Sequence, residues 1–380
     1  MKLLAIGPRS HLKINRVSGQ TVLFDGFIDY CEKNCIKVDV LDLFPKIDKP
    51  GNIYRIIDYI FSASVLVCFL IKSCVTKKYD ACYFTTSFSR YGVLRDLVLT
   101  RILLFFRVKV VAHQLGAGVN HFIEAKDSIG EKRLRKLLKA YSAIVVEGNY
   151  IRDQFFVFEE IREKIFVIPN GLPKCGKNAL HSKEYIKGQT FNIFYLSNLI
   201  YTKGWHDVLM AVNELVNNRG LNVKCIFAGL FMQSKDDPTP MIYTKEYFFD
   251  YIKNNNLETH IEYYDGLFGT EKDEYFLKAH VFILPSFYYN EGQPVSILEA
   301  MSYGCVPIVT NYRHIPMMVT DANGCFVKPH NPNNIADTIM GLINAPNTYC
   351  RKSEKCVADF QMNYTFEQYM MQLISVIKTS

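Results

Sequence analysis

The stretch "NEGQPVSILEAMSYGCVPIVT", residues 290–310, sets two glutamates eight positions apart, Glu291 and Glu299, around what reads as a helix start. Just before them, "VFILPS" (281–286) is a short apolar run closed by Pro and Ser. At the far end "CVPIVT" (305–310) is a second run, rich in β-branched residues. Both read as buried strands. Between them residues 293–303 have helix character: Pro294 suits a first helical turn, Gly304 suits a carboxy-terminal stop, and Val295, Ile297, Leu298 and Met301 supply apolar faces. The segment is a βαβ unit.

In such a unit the helix N-terminus lies at the carboxyl end of the sheet, where unpaired N–H groups and the helix dipole favour an anion. Glu291 falls in the loop just before that point and Glu299 about a turn and a half inside the helix. Two carboxylates would repel a bare phosphate. They make sense if the anion carries a sugar at each end, because a carboxylate accepts two hydroxyl hydrogen bonds at once. The plainer alternative makes Glu291 an acid favoured by the helix N-terminus and Glu299 a solvated side chain paired with a surface lysine. Against it, Glu299 is the only charge between Gly292 and Tyr312, in a segment otherwise apolar or small. A charge in that setting needs a partner.

The run Glu291-Gly292-Gln293-Pro294-Val295-Ser296-Ile297-Leu298-Glu299-Ala300, followed by Gly304 and Pro307, resembles the E-x7-E signature of retaining GT-B glycosyltransferases of group 1 (family 4). The flanking "LPS" and "GCVPIVT" fit the same pattern, and "FYLSNLIYTKGWHDVLMAV" (194–212) is similar to the family's strand, loop and Lys-Gly helix start. The resemblance covers residues 163–340; over the amino-terminal half it is carried by organisation and two short motifs. It implies an α/β fold of GT-B architecture, two Rossmann-like domains facing across a cleft.

Length and composition agree with two domains. A chain of 380 residues is long for one core, and 49% hydrophobic with 21% charged residues is ordinary for a globular protein. The eleven cysteines are odd in number and form no CxxC pair; "CEKNC" (31–35) is the tightest spacing, with no histidine at zinc-site distance. They read as reduced core residues of a cytosolic protein, with no metal expected. "MKLLAIGPRS" reads as a first buried strand rather than a signal peptide.

Strand-like runs begin at 2, 37, 80, 109, 143 and 164 in the first half and at 192, 223, 261, 281 and 305 in the second, with helix-length segments between them. This predicts two successive parallel sheets with helices on both faces. The expected boundaries are an acceptor-binding domain over 1–170, a linker rich in Pro, Gly, Lys and Asn over 171–190, and a nucleotide-sugar-binding domain over 191–365. The resemblance implies that a last helix, 366–380, packs back on the first domain.

Lys203 and Gly204 precede the helix "WHDVLMAVNELV", so a cation and exposed N–H groups meet at one point, a sound site for a diphosphate. Where the family usually has an arginine five residues earlier, this chain has Asn198. In "RVSGQTVLF" (16–24), Gly19 at a helix start lets backbone approach a ligand, or is a plain loop glycine. In "VVAHQLGAG" (110–118), His113 ends a strand before a Gly-rich loop. A histidine there is commonly structural; it also holds the position where related enzymes contact the reacting sugar.

The resemblance implies a nucleoside-diphosphate sugar as donor, its diphosphate held by Lys203 and the Gly292, Gln293, Pro294 and Val295 backbone, its ribose by Glu299 and its sugar by Glu291, with same-face attack. No cofactor is expected. Charge bears on the acceptor: residues 1–150 hold 23 Lys and Arg against 13 Asp and Glu, net +10, and residues 151–380 hold 21 against 24, net −3. The basic half also contains "YIFSASVLVCFLI" (59–71) and "LVLTRILLFFRVKVV" (97–111), too short or too charged to span a bilayer. Each is either a core helix or part of a face that docks on an anionic membrane. The latter predicts a lipid-linked or glycan acceptor at the inner face of the cell membrane, in cell-surface polysaccharide or lipopolysaccharide biosynthesis. A dinucleotide oxidoreductase lacks its G-x-G-x-x-G, and a nucleic-acid partner gives the two glutamates no role. A nucleotide-sugar epimerase, a phosphorylase and a non-catalytic sugar-binding scaffold of the same fold remain as alternatives.

Overall fold

The structure, a computed structural model, describes residues 1–10, 18–43, 52–87, 89–115, 119, 128–172, 176, 179–233, 244–289 and 291–380; of residues 52–62 and of Arg90 it describes the backbone alone. The chain divides into two compact units, one of Met1–Pro173 with Phe366–Ser380 and the other of Lys174–Thr365.

In the first unit the strands are β1 (Lys2–Gly7), β2 (Lys37–Asp42), β3 (Ala81–Thr85), β4 (Lys109–Gln114), β5 (Ala143–Val146) and β6 (Ile165–Val167). Helices α1 (Gly19–Lys33), α2 (Asn52–Thr76), α3 (Arg90–Phe105), α4 (Ser128–Ala140) and α5 (Asn149–Gln154) alternate with them. The sheet is parallel, ordered β2-β1-β3-β4-β5-β6. With helices on both faces, β3 and β5 are buried at every residue, while the edge strand β6 has none fully buried.

The second unit carries β7 (Phe191–Leu196), β8 (Val223–Ala228), β9 (Ile261–Tyr264), β10 (Val281–Leu284), β11 (Val306–Thr310) and β12 (Cys325–Val327). Its helices are α6 (Trp205–Asn213), α7 (Lys245–Asn254), α8 (Gly269–Lys278), α9 (Val295–Ser302), α10 (Pro332–Asn344) and α11 (Pro346–Asn363). All pairings are parallel, in the order β12-β11-β10-β7-β8-β9. Counted within the unit this is the 6-5-4-1-2-3 order of a dinucleotide-type sheet. Strand β12, three residues long, is one that the sequence pattern had not predicted. After it α12 (Phe366–Thr379) returns to the first unit, where it lies against β3 and β5 and buries Tyr369, Met370 and Leu373.

The helices that carry the two apolar segments of the basic half have a buried face and an exposed one. Inner residues such as Leu70, Val93, Leu97 and Leu103 belong to the core of the first unit. The opposite faces stay apolar yet exposed: Val65, Phe69 and Val75 on α2, and Tyr91, Leu94, Val98 and Phe105 on α3, helices in contact with each other. No helix among the described residues is long and apolar enough to cross a membrane.

Candidate functional site

An open α/β sheet forms its crevice where neighbouring strands send their connections to opposite sides. In the second unit that point lies between β7 and β10, which are hydrogen-bonded neighbours. Lys203 ends a single 3-10 turn (Tyr201–Lys203) after β7, and Gly204 follows in a left-handed conformation at φ 80°. A Cβ on Gly204 would stand 2.4 Å from the Pro285 carbonyl oxygen, so only glycine permits so close a pass over the exit of β10. That pass brings Lys203 to Glu291. Its Nζ lies 2.7 Å from each carboxylate oxygen, with side chains 14% and 5% exposed.

The carboxylate is fixed from below as well. Ser286, fully buried after β10, donates its hydroxyl to Glu291 Oε2, and Thr310 at the end of β11 donates to the Ser286 carbonyl. Lys203 Nζ also stands 4.8 Å from the centre of the Tyr288 ring. Three strand ends, β7, β10 and β11, thus converge on one ion pair.

Glu299 has its own ammonium. Lys272, in the first turn of α8, donates to Glu299 Oε1, with side chains 23% and 13% exposed. The expected span of α9 is corrected here: the helix runs Val295–Ser302 rather than 293–303, because Pro294 at φ −64° and ψ 113° keeps extended backbone and takes the N-cap position. Gly292 and the buried Gln293 therefore stay in the loop. Neither α6 nor α9 has a side-chain cap, which leaves their first-turn N–H groups to other acceptors. Each of the two acids is matched by a lysine, so neither carboxylate opposes an approaching phosphate with an uncompensated charge.

The remaining candidates are Asn198 in the second unit and Gly19 and His113 in the first. Asn198 is exposed after β7, and its backbone carbonyl accepts from the Ile200 N–H at 2.9 Å. Gly19 opens α1 in the first unit behind its cap Ser18, with the preceding residues 11–17 outside the described ones. Its neighbour Gln20 donates Nε2 to the Leu115 carbonyl at 2.9 Å. His113 is next to last in β4 and is wholly buried, with Nδ1 2.7 Å from the Tyr83 hydroxyl and 3.4 Å from that of Tyr369. Burial pushes its imidazole down to about 3, so it is neutral throughout the working range of a protein. Its Nε2 has no partner among the described residues, and the Gly-rich loop at 116–118 lies outside them. No group of three or more His, Cys, Asp or Glu placed to hold a metal occurs among the described residues.

Sequence reasoning missed Lys272, Ser286 and Thr310 as parts of the crevice. The isolation of Glu299 in an apolar helix demanded a partner, yet nothing in the pattern singled out a lysine 27 residues away.

Residues 176–357 match the family model described as glycosyl transferases group 1. Among curated proteins, none matches the chain. HepE of Anabaena, solved in complex with UDP and with UDP-glucose, superposes at TM-scores of 0.69 and 0.71 and 14% identity over the whole of both chains. Sucrose-phosphate synthase of Thermosynechococcus elongatus gives 0.73 at 13% identity, covering 100% of this chain and 99% of that one. The lipopolysaccharide outer core galactosyltransferase WaaB, in its apo form, gives 0.65 at 14% identity over 100% and 99%. At such identities the likeness is one of fold, and the fold is GT-B.

Proposed function

Since the chain belongs, through residues 176–357, to the group 1 glycosyl transferases, we propose that it moves a sugar, with retention of configuration, from a nucleoside-diphosphate sugar to a glycan or lipid-linked saccharide. The observation that carries this is the Lys203–Glu291 pair, both oxygens at 2.7 Å, at the crevice between β7 and β10. On donor binding Lys203 turns to the diphosphate and Glu291 is released to the hydroxyls of the donated sugar. Glu299 accepts from the ribose. As the bond from the anomeric carbon to phosphate oxygen breaks, charge gathers on the departing diphosphate, where Lys203 and the N–H groups at the start of α9 stabilise it. The acceptor hydroxyl attacks from the same face, and its proton passes to the departing phosphate oxygen. For His113, neutral and with Nε2 unpartnered among the described residues, the part proposed is contact with the reacting sugar.

The test is incubation with UDP-, GDP- and ADP-sugars, with free nucleoside diphosphate followed with and without acceptor, and the anomeric configuration of the product read by NMR. HepE binds UDP-glucose, so the UDP arm comes first. Release that depends on acceptor supports transfer; interconversion of donors without release would point to an epimerase, and silence in every arm to a scaffold.

We further propose that the first unit docks on the inner face of an anionic membrane, where a lipid-linked acceptor of cell-surface polysaccharide or lipopolysaccharide synthesis would be found. The exposed apolar residues of α2 and α3 support it, Tyr91 at 72% and Phe105 at 82% exposure, with Lys72, Lys77, Lys78, Arg101, Arg107 and Lys109 exposed on or beside the same helices. A basic side chain near an acidic leaflet contributes about 1 kcal/mol, and apolar residues in the interface add to it. Co-sedimentation of the full chain with neutral and acidic vesicles, at low and high salt, checks it: binding should need acidic lipid and weaken with salt. Equal recovery in the supernatant under all four conditions would favour a soluble acceptor.

A further inference from the structure

Helix energetics do not explain Lys272. It stands in the first turn of α8, where the positive end of the helix dipole disfavours a cation. Glu299 is as badly placed by itself, in the apolar helix α9 with Ile297, Leu298, Ala300 and Met301 buried around it. The two meet across different elements, since α8 leads from the edge strand β9 back to β10 and lies against β7. Neither group is fully buried, at 23% and 13% exposure, so the pair is reachable by a ligand while shielded from bulk screening.

We propose that Lys272 is a donor-positioning residue. By holding Oε1 of Glu299 it fixes the carboxylate so that Oε2 faces the ribose hydroxyls, and it cancels a negative charge that would otherwise oppose the diphosphate. This rests on the assignment of Glu299 to the ribose. The arrangement repeats what Ser286 does for Glu291: each carboxylate that meets the donor is oriented through one oxygen by a neighbouring donor group.

The experiment is calorimetric titration of the full chain with UDP, GDP and ADP, and with the 2′-deoxy form of whichever binds best, for wild type, Lys272→Met, Lys272→Arg, Glu299→Gln and the double variant Lys272→Met/Glu299→Gln. Lys272→Met should weaken nucleotide binding about 10-fold or more, the loss expected for a charged hydrogen bond, and raise donor KM by a like factor with kcat little changed. Lys272→Arg should recover most of it. Selectivity for the ribo- over the 2′-deoxynucleotide should fall in Lys272→Met, and in the Glu299→Gln background the same change should cost much less, since the two residues act as one. A merely structural lysine would alter melting temperature and leave the ribose selectivity and the coupling untouched. Wild-type affinity in Lys272→Met, or equal losses in both backgrounds, overturns the proposal while the donor reading stands. A wild type that binds none of the three nucleotides overturns both.

Discussion

In the second unit the cations that count stand inside, Lys203 and Lys272 each held against a glutamate at the mouth of the sheet. In the first unit the carboxyl edge presents a neutral histidine braced by two tyrosine hydroxyls, and exposed Lys and Arg lie on the outer helices instead. Both sheets are parallel and six-stranded, so the scaffold does not dictate the difference. Paired inner charges lose hydration and repay it only in good geometry, whereas outer charges lose little and act through water. The same architecture thus carries paired, shielded charges at one sheet and exposed charges on the outer helices of the other.

The largest effect that would test this contrast comes from Lys203→Met, which leaves Glu291 nearly buried without its cation and removes a charge from the departing phosphate. We expect kcat/KM for donor to fall about 100- to 1000-fold, the size seen when one transition-state donor is lost, measured as release of nucleoside diphosphate. Activity within threefold of wild type would remove Lys203 from the mechanism. Next, Glu299→Gln should weaken donor affinity roughly 10- to 150-fold by calorimetry with the fold intact.

On the neutral side of the comparison, the expected effect is on stability. A histidine whose folded pKa, about 3, lies below its unfolded value of 6.5 takes up its proton only on unfolding between those limits. Stability therefore falls as pH drops through that window, by about 2 kcal/mol at pH 5 from His113 alone. Chemical denaturation at pH 7 and pH 5 checks it, since His113→Gln should lose correspondingly less between the two; equal losses would mean that His113 is not held neutral. The smallest effect concerns the outer charges: Arg101→Ser should lower partitioning onto acidic vesicles about fivefold and leave transfer to a water-soluble acceptor analogue unchanged.

Much of this was legible in residue order. The βαβ unit around Glu291, eleven of the twelve strands among the described residues and the Lys-Gly turn follow from apolar runs and their punctuation. Strand β12 escaped because its apolar run stops at three residues, Cys325–Val327, between Gly324 and Lys328, whereas the equally short β6 lies in the longer apolar run 165–168. The start of α9 was misplaced because proline suits both an N-cap and a first turn, and only ψ decides between them. Partners across the fold are beyond local pattern: Lys272 for Glu299, and Tyr369 for His113 at a separation of 256 residues. The isolation of Glu299 showed that a partner was required, and the tertiary structure alone says which.

That last separation bears on how the protein is made. The sheet of the first unit is synthesised early, yet Tyr369, Met370 and Leu373 of the helix that closes over it leave the ribosome only after the whole of residues 174–365. Residues 174–365 form a contiguous unit able to fold while that closure is still pending, since domains commonly fold as units during synthesis. A nascent chain stalled before residue 366 would carry a complete second unit and a first unit whose apolar surface over β3 and β5 is uncovered, a form that chaperones and proteases can distinguish from the finished protein.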